Sequence, residues 1–153
     1  MGGRGSGYQR ERQTTVEECL VLSIAALRVS GPLSGGIWRK GSVAWGDVLS
    51  VRFEVNTCSG DAGAIWLDYL LDNRRVHECI SLTTTIPKFG GRRWWFRCPL
   101  TDRRVSRLYL PPNGLTFRSR MAHKLTYRSC QESGRQQRLL RHRTLDKAVA
   151  SQS

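Results

Sequence analysis

The sequence lacks any run of about 18 apolar residues, so no membrane-spanning helix and no membrane partner are expected. Its longest apolar-rich stretch, Val16 to Val29, is interrupted by Glu17, Glu18, Ser23 and Arg28. Arg4, Arg10 and Arg12 stand near the start, but no apolar segment precedes an Ala-x-Ala-like site, so no secretory signal peptide is expected. Paired cysteines are also missing. Cys19, Cys58, Cys79, Cys98 and Cys130 are odd in number, scattered and never spaced Cys-x-x-Cys. That pattern argues against a disulfide framework and for a reducing, cytoplasmic compartment. Cys19 on an expected helix and Cys79 on an expected strand read as buried small hydrophobes.

Catalytic signatures are equally scarce. There is no Gly-x-Ser-x-Gly, no phosphate-binding glycine loop and no His-Glu-x-x-His. Gly2 to Gly7 precedes no strand-to-helix turn. His77, His123 and His142 are far apart, and residues 88–153 hold only three acids, Asp102, Glu132 and Asp146, for a two-metal nuclease. No catalytic residue, no cofactor and no metal site is therefore expected. Lysine is rare, with 4 Lys against 21 Arg.

What is present is a chain of 153 residues, 39% hydrophobic and 24% charged, enough for one domain of ordinary size with a core of its own. Its outlying property is a net charge of +13. Such a chain repels itself unless it meets a polyanion.

The patterning predicts an α+β fold in three stretches. Residues 1–13 form a Gly/Arg-rich arm. Residues 14–87 begin with a helix, because Thr14 and Thr15 precede Glu17 and Glu18 at capping-box spacing and Leu20, Ile24 and Leu27 then share one helical face. Gly31-Pro32 ends it. An antiparallel β-meander follows. Ile37–Trp45 reads as a strand interrupted near Gly41. Val51, Phe53 and Val55 alternate with Arg52 and Glu54, and Ile65, Leu67, Tyr69 and Leu71 alternate in turn. Asp72-Asn73-Arg74-Arg75 is a tight turn before a strand over Val76–Thr85. The helix would cover the apolar face of this meander. Pro87 to Gly91 marks a boundary. Residues 88–153 continue as three strands (Arg92–Cys98, Arg104–Leu110 and Thr116–Arg120) and a basic helix from Ser129 or Gln131 to Ala150. The two main stretches are expected to pack as one compact domain.

The charge is segregated. Residues 1–87 hold nine basic and nine acidic side chains, whereas residues 88–153 hold 16 basic and three acidic ones. A segregated excess points to a working surface. Aromatic residues are interleaved with it. In Arg92-Arg93-Trp94-Trp95-Phe96-Arg97, a strand puts Arg93, Trp95 and Arg97 on one face and Arg92, Trp94 and Phe96 on the other, so one set can build core while the other meets a ligand. Arginine forks bind phosphate, and arginine planes and aromatic rings stack on bases. The expected nucleic-acid-binding residues are Arg92, Arg93, Trp95, Arg97, Arg103, Arg104, Arg107, Arg118, Arg120, Lys124, Arg128, Arg135, Arg138 and Arg141.

Cys98-Pro99-Leu100-Thr101 has the shape of a zinc knuckle with Thr in its second ligand place. Ser119-Arg120-Met121-Ala122 has the shape of the opposing knuckle with Ser and Ala in both. The separation fits a C-x₂-C-x₁₅₋₂₀-C-x₂-C site that retains one sulfur. A structural zinc needs four ligands. Cys98, His123 and Cys130 supply three only if the fold brings them together, so a metal-free, zinc-ribbon-like unit is expected.

These residues carry a resemblance. The chain resembles a group of uncharacterised bacterial proteins, being similar over Met1-Gly2-Gly3 to Gly7, Thr15–Leu20, Leu82–Thr85, Gly90–Phe96, Cys98-Pro99, Arg103–Val105, Leu108–Pro112 and Leu125–Ser129. Some members of the group look like true zinc ribbons with cysteines in both knuckles; others, like this chain, lack them. The resemblance implies a shared fold rather than an activity.

Three readings of function follow. The first is a non-enzymatic DNA- or RNA-binding protein that uses the basic C-terminal surface. The second is a small protein-interaction or inhibitor module acting on a nucleoprotein complex in phage or plasmid biology, with Trp38, Trp45 and Trp66 as anchors. The third is a metal-free nuclease with His123, beside Lys124, Tyr127 and Arg128, as general acid or base.

Overall fold

A computed structural model describes residues 12–28 and 33–133. Among the described residues, eight strands form two antiparallel sheets. Strands β2 (Trp38–Trp45), β3 (Leu49–Asn56), β4 (Ala62–Leu71), β5 (Arg74–Thr85), β6 (Arg93–Arg97) and β7 (Arg104–Val105) pair in chain order as a six-stranded meander. Strands β1 (Leu20–Ser23) and β8 (Arg107–Leu110) form a separate pair, with Leu22 opposite Leu108. Strict alternation drives the meander. One face buries Val51, Phe53, Val55, Ile65, Leu67, Ile80, Leu82, Trp94 and Phe96, and the β1–β8 pair covers it with Leu22, Leu108 and Leu110.

The expected N-terminal helix does not form. Residues 16–28 are instead a 3₁₀ turn (Val16–Glu18), strand β1 and a second 3₁₀ turn (Ile24–Arg28). The capping box itself is real: the Thr15 N–H donates to Glu18 Oε2 at 2.9 Å, but it caps a single turn. The chain then extends because the backbone of Val21 and Leu22 finds partners in β8. A two-stranded ladder satisfies the same backbone groups that a helix would, and β-branched Val21 favours it. Leu22, Ile24 and Leu27 still reach the core from this irregular path.

The meander follows the sequence pattern closely. Asp72 (φ 48) and Asn73 (φ 61) both adopt the left-handed conformation that a two-residue hairpin turn requires. Strand β2 runs unbroken through Gly41, where a Cβ would lie 2.6 Å from Phe53 Cζ. Glycine there makes room for the Phe53 ring. It does not interrupt the strand.

The compositional boundary at Pro87 falls inside a hairpin. Strand β6 pairs with β5, Leu82 opposite Phe96 and Thr85 opposite Arg93, so the first strand of the expected ribbon-like unit extends the meander. The expected Arg104–Leu110 strand is split at Ser106 between the two sheets. Thr116–Arg120 contributes only an isolated bridge, Tyr109 with Arg118. Residues 128–133 are helical; the remainder of the expected C-terminal helix, with Arg135, Arg138 and Arg141, lies outside the described residues, as does residue 1–11 of the arm. Cys79 is exposed and Cys19 half-buried, so neither is the buried small hydrophobe expected; Cys79 stands on the outward face of β5 beside Trp66.

Gly41→Val should cost about 1–3 kcal/mol by forcing the Phe53 ring from its place. Urea denaturation of the two proteins measures the difference, and a variant as stable as the parent would show that the ring relaxes freely.

Candidate nucleic-acid interface

The alternation in β6 divides its side chains. Trp94 and Phe96 are buried, while Arg93, Trp95 and Arg97 stand on the outer face of the meander. The Arg93 guanidinium lies 4.2 Å from the centre of the Trp95 ring, and the Trp95 indole N–H donates to Thr85 Oγ1 at 2.8 Å. Ring and guanidinium are thus fixed as a layered pair on a rigid strand. Arg104 is opposite Arg97 on β7. Like charges this close repel, and Asp102 relieves the repulsion by holding Arg97 in a fork of 2.9 and 2.7 Å.

The other nominated cations divide into held and open ones. Arg92 reaches across the β3–β4 turn to the Gly60 carbonyl (2.6 Å) and Asp61 (2.7 Å). Arg120 stacks on Tyr127, 5.2 Å from its centre. The backbone N–H of Arg128 donates to the Glu17 carboxylate at 3.2 Å, while its side chain is exposed. Lys124 is exposed and closes a turn at φ 53. Arg103, Arg104 and Arg107 are exposed, and no carboxylate among the described residues pairs with them.

Arg118 is different from all of these. Its guanidinium pairs with Glu78, whose side chain is only 6% exposed. The other Glu78 oxygen accepts the Phe117 N–H at 3.1 Å and the Tyr69 hydroxyl at 2.9 Å. Burial and the adjacent carboxylate push the Tyr69 phenol far above its ordinary value, so it remains a donor. Arg118 therefore belongs to a buried network that pins residues 117–118 to β4 and β5, and it is withdrawn from the surface assigned to it from sequence.

The two knuckle-shaped turns face one another. The Asp102 N–H donates to the Cys98 carbonyl (2.8 Å), and the His123 N–H to the Ser119 carbonyl (3.2 Å). The Ala122 N–H donates to Ser119 Oγ at 3.2 Å, and the Ser119 N–H crosses to Cys98 Sγ at 3.3 Å. Burial pushes the Cys98 thiol up, but the polar groups of Ser119 and Thr101 around it outweigh this and lower the thiol from 9.0 to about 6. The Thr101 hydroxyl closes no conventional hydrogen bond, which makes Ser119 the main donor. Among the described residues no group of three or more His, Cys, Asp or Glu side chains converges; Cys98 is buried and Cys130 exposed. His123 Nε2 lies 3.1 Å from the Thr116 carbonyl. A carbonyl only accepts, so that nitrogen carries the proton and is engaged with the backbone.

Folding also adds residues that sequence reasoning missed. Arg28, in the neutral half, lines one cleft with Arg93 and Arg107. Only the pairing of β1 with β8 brings them together. On the outer face of the neutral half, Trp38 (66% exposed) and Trp66 (45%) flank an ionic ladder in which the guanidiniums of Arg75 and Arg52 hold the Asp68 carboxyl down to about 2.

No protein-family model matches the sequence, and no curated protein or solved structure is significantly similar to it.

Arg118→Ala leaves the buried Glu78 charge unpaired and should cost about 3–5 kcal/mol, whereas Arg104→Gln should stay within about 0.5 kcal/mol. Chemical denaturation reads both; equal effects would remove the distinction between a held and an open arginine. Cys98 supplies a pH signature. Its folded value lies below its unfolded one, so its contribution is full above the unfolded value and is lost as pH falls through the folded value. Stability should thus rise between about pH 6 and 9, and Cys98→Ala should flatten that rise. Denaturation midpoints across this range test it; an unchanged slope in the variant would assign the rise to another group.

Proposed function

We propose that this chain is a non-enzymatic nucleic-acid-binding protein whose contact surface is the outer face of β6 and β7 with the exposed arginines around it. The observation that carries this reading is the set Arg93, Trp95, Arg103, Arg104 and Arg107. It joins a layered guanidinium–indole pair to neighbouring cations that no carboxylate neutralises among the described residues. Cations with no internal partner are available to phosphates, and a guanidinium plane held over an indole offers a stacking surface to an unpaired base. Arg92, Arg97 and Arg120 stand at the rim, already oriented by Asp61, Asp102 and Tyr127. Orientation by a neighbour lowers the entropy lost when a long side chain meets a ligand.

Two further features accompany the reading. The facing turns at residues 98–101 and 119–122, joined through the Cys98 sulfur, support a metal-free ribbon-like origin for this part of the chain. All five cysteines are free, which supports a reducing, cytoplasmic setting.

A second reading is favoured by a separate observation. A shallow groove of about 740 Å³ lies on the outer face of β2–β5 beside Trp66, and the indole N–H of Trp38 donates to Glu54 at 2.5 Å. Exposed, oriented tryptophans are the usual anchors of a protein contact. A defined protein that co-purifies with the chain after nuclease treatment, and is lost on Trp66→Ala, would establish that role.

The main reading is tested by binding to single- and double-stranded DNA and RNA over a range of salt. Neutralising about five phosphates predicts a log–log slope of roughly −4 to −5 on duplex DNA and a smaller one on single strands. Arg104→Gln should weaken binding similarly for all sequences and lower the slope by about 1. Salt-insensitive retention, or none at low salt, would overturn the reading.

A further inference from the structure

At Ser106 the strand that begins as β7 leaves the meander and continues as β8. Strand β7 pairs with β6 only at Phe96 and Arg97. One residue later the Ile24 N–H donates to the Ser106 carbonyl at 3.1 Å, and β8 is already paired with β1. The departure opens a wedge between the start of β6 and the β1–β8 pair. This cleft has a volume of about 580 Å³.

Three separate elements each deliver one arginine to it: Arg28 from the second 3₁₀ turn, Arg93 from β6 and Arg107 from β8. Among the described residues no carboxylate lines the cleft and none forms an ion pair with any of the three. Gathering three arginines around one cleft without a counter-charge costs electrostatic energy, which a bound anion would return. Two donors strengthen the case. Trp94 lines the cleft, is 2% exposed, and its indole N–H is buried with no acceptor. A buried N–H without a partner costs about 1–3 kcal/mol, so it marks a place where an acceptor is missing. Ser23 Oγ accepts the Ala26 N–H at 3.2 Å, which leaves its own proton free to donate.

We propose that this wedge is a phosphoryl-anion site. Arg28, Arg93 and Arg107 supply the charge, and the Trp94 indole N–H is the buried donor. The nucleic-acid reading supplies the source of the anion, a phosphodiester of a bound single strand, and the inference rests on it for that alone. Arg93 connects the two surfaces, since the residue lines the cleft and its guanidinium lies over Trp95 on the outer face. A strand with one phosphate in the wedge would therefore carry its neighbouring base to the Arg93–Trp95 layer.

The experiment uses the full chain labelled with ¹⁵N, with the Trp94 indole resonance assigned by Trp94→Phe. Inorganic phosphate and a short single-stranded oligonucleotide, with a 5′-hydroxyl or a 5′-phosphate, are the probes. Both kinds of probe should move the Trp94 resonance. In the Arg28→Gln/Arg107→Gln double variant, phosphate should no longer move it. Oligonucleotide affinity should fall by roughly tenfold or more, and the salt slope by about 2. Both side chains are exposed, so an unchanged thermal midpoint is expected and checks folding. Arg74→Gln, at the start of β5, should bind as the parent does.

Tight oligonucleotide binding with an unmoved Trp94 resonance, or undiminished in the double variant, overturns the wedge site and leaves the outer-face reading standing. Phosphate that moves Trp94 through these arginines, with no oligonucleotide bound at any salt, supports the wedge and overturns the nucleic-acid reading. Equal affinity for the two oligonucleotide ends supports the backbone as the source of the phosphate; a preference for the phosphorylated end overturns that assignment in favour of a strand terminus.

Discussion

One short segment, Arg104–Leu110, is shared between two sheets, and the rest of the fold depends on that sharing. Its first two residues complete the meander and its last four pair with β1. A sheet with one apolar face must bury that face against another layer. Here the second layer is made by strands instead of a helix, because the exit at Ser106 carries β8 across the core and gives Leu20–Ser23 a ladder to join. Leu22 and Leu108 are fully buried as a result. The same exit leaves part of β6 without a neighbour, and the arginine wedge is the space left behind. The cover of the core and the candidate anion site thus have one geometric cause.

The basic surplus does two different jobs. Part of it is structural. Arg118 compensates the buried Glu78 carboxylate, which also holds Tyr69 and Phe117 and so ties the C-terminal segment to the meander. Buried ion pairs are expensive to assemble and costly to break halfway, so this contact favours one arrangement of the two halves over others. Arg97 and Arg92 are directed by Asp102 and Asp61 at the surface, where such pairs orient more than they stabilise. Among the described residues Arg103, Arg104 and Arg107 pair with no carboxylate. Their mutual repulsion is tolerable in the isolated chain only because water screens it, and an anionic partner would relieve it.

Much of the meander was legible because its pattern has a period of two and its turns have chemical signatures. Asp72-Asn73 accepts the left-handed conformation that few other pairs tolerate, and Trp94 and Phe96 alternate with Arg93 and Trp95 without ambiguity. The N-terminal segment was not legible for a specific reason. Thr15 and Glu18 form the contact that their spacing suggests, yet a capping contact fixes only one turn. Whether the chain continues as helix or strand depends on the partner available to the next backbone groups, and that partner, β8, lies nearly ninety residues away. Arg28 was missed on the same account, since its charge gains meaning only beside Arg93 and Arg107. The opposite error was made at Arg118, whose place in a basic stretch gave no sign that Glu78 would claim it.

The sequence by itself determined that a neutral β-rich half precedes a half with the entire net charge of +13, and that guanidinium and indole alternate along β6. Composition and period-two patterning are local properties, and local sterics and burial are enough to express them. Only the tertiary structure decided which arginines are spent inside the molecule and which remain for a partner. It also decided that Arg28 from the first half faces Arg93 and Arg107 from the second across a wedge lined by Trp94. Those outcomes depend on long-range strand pairing and on the desolvation of particular side chains, and neither is encoded in the spacing of neighbouring residues.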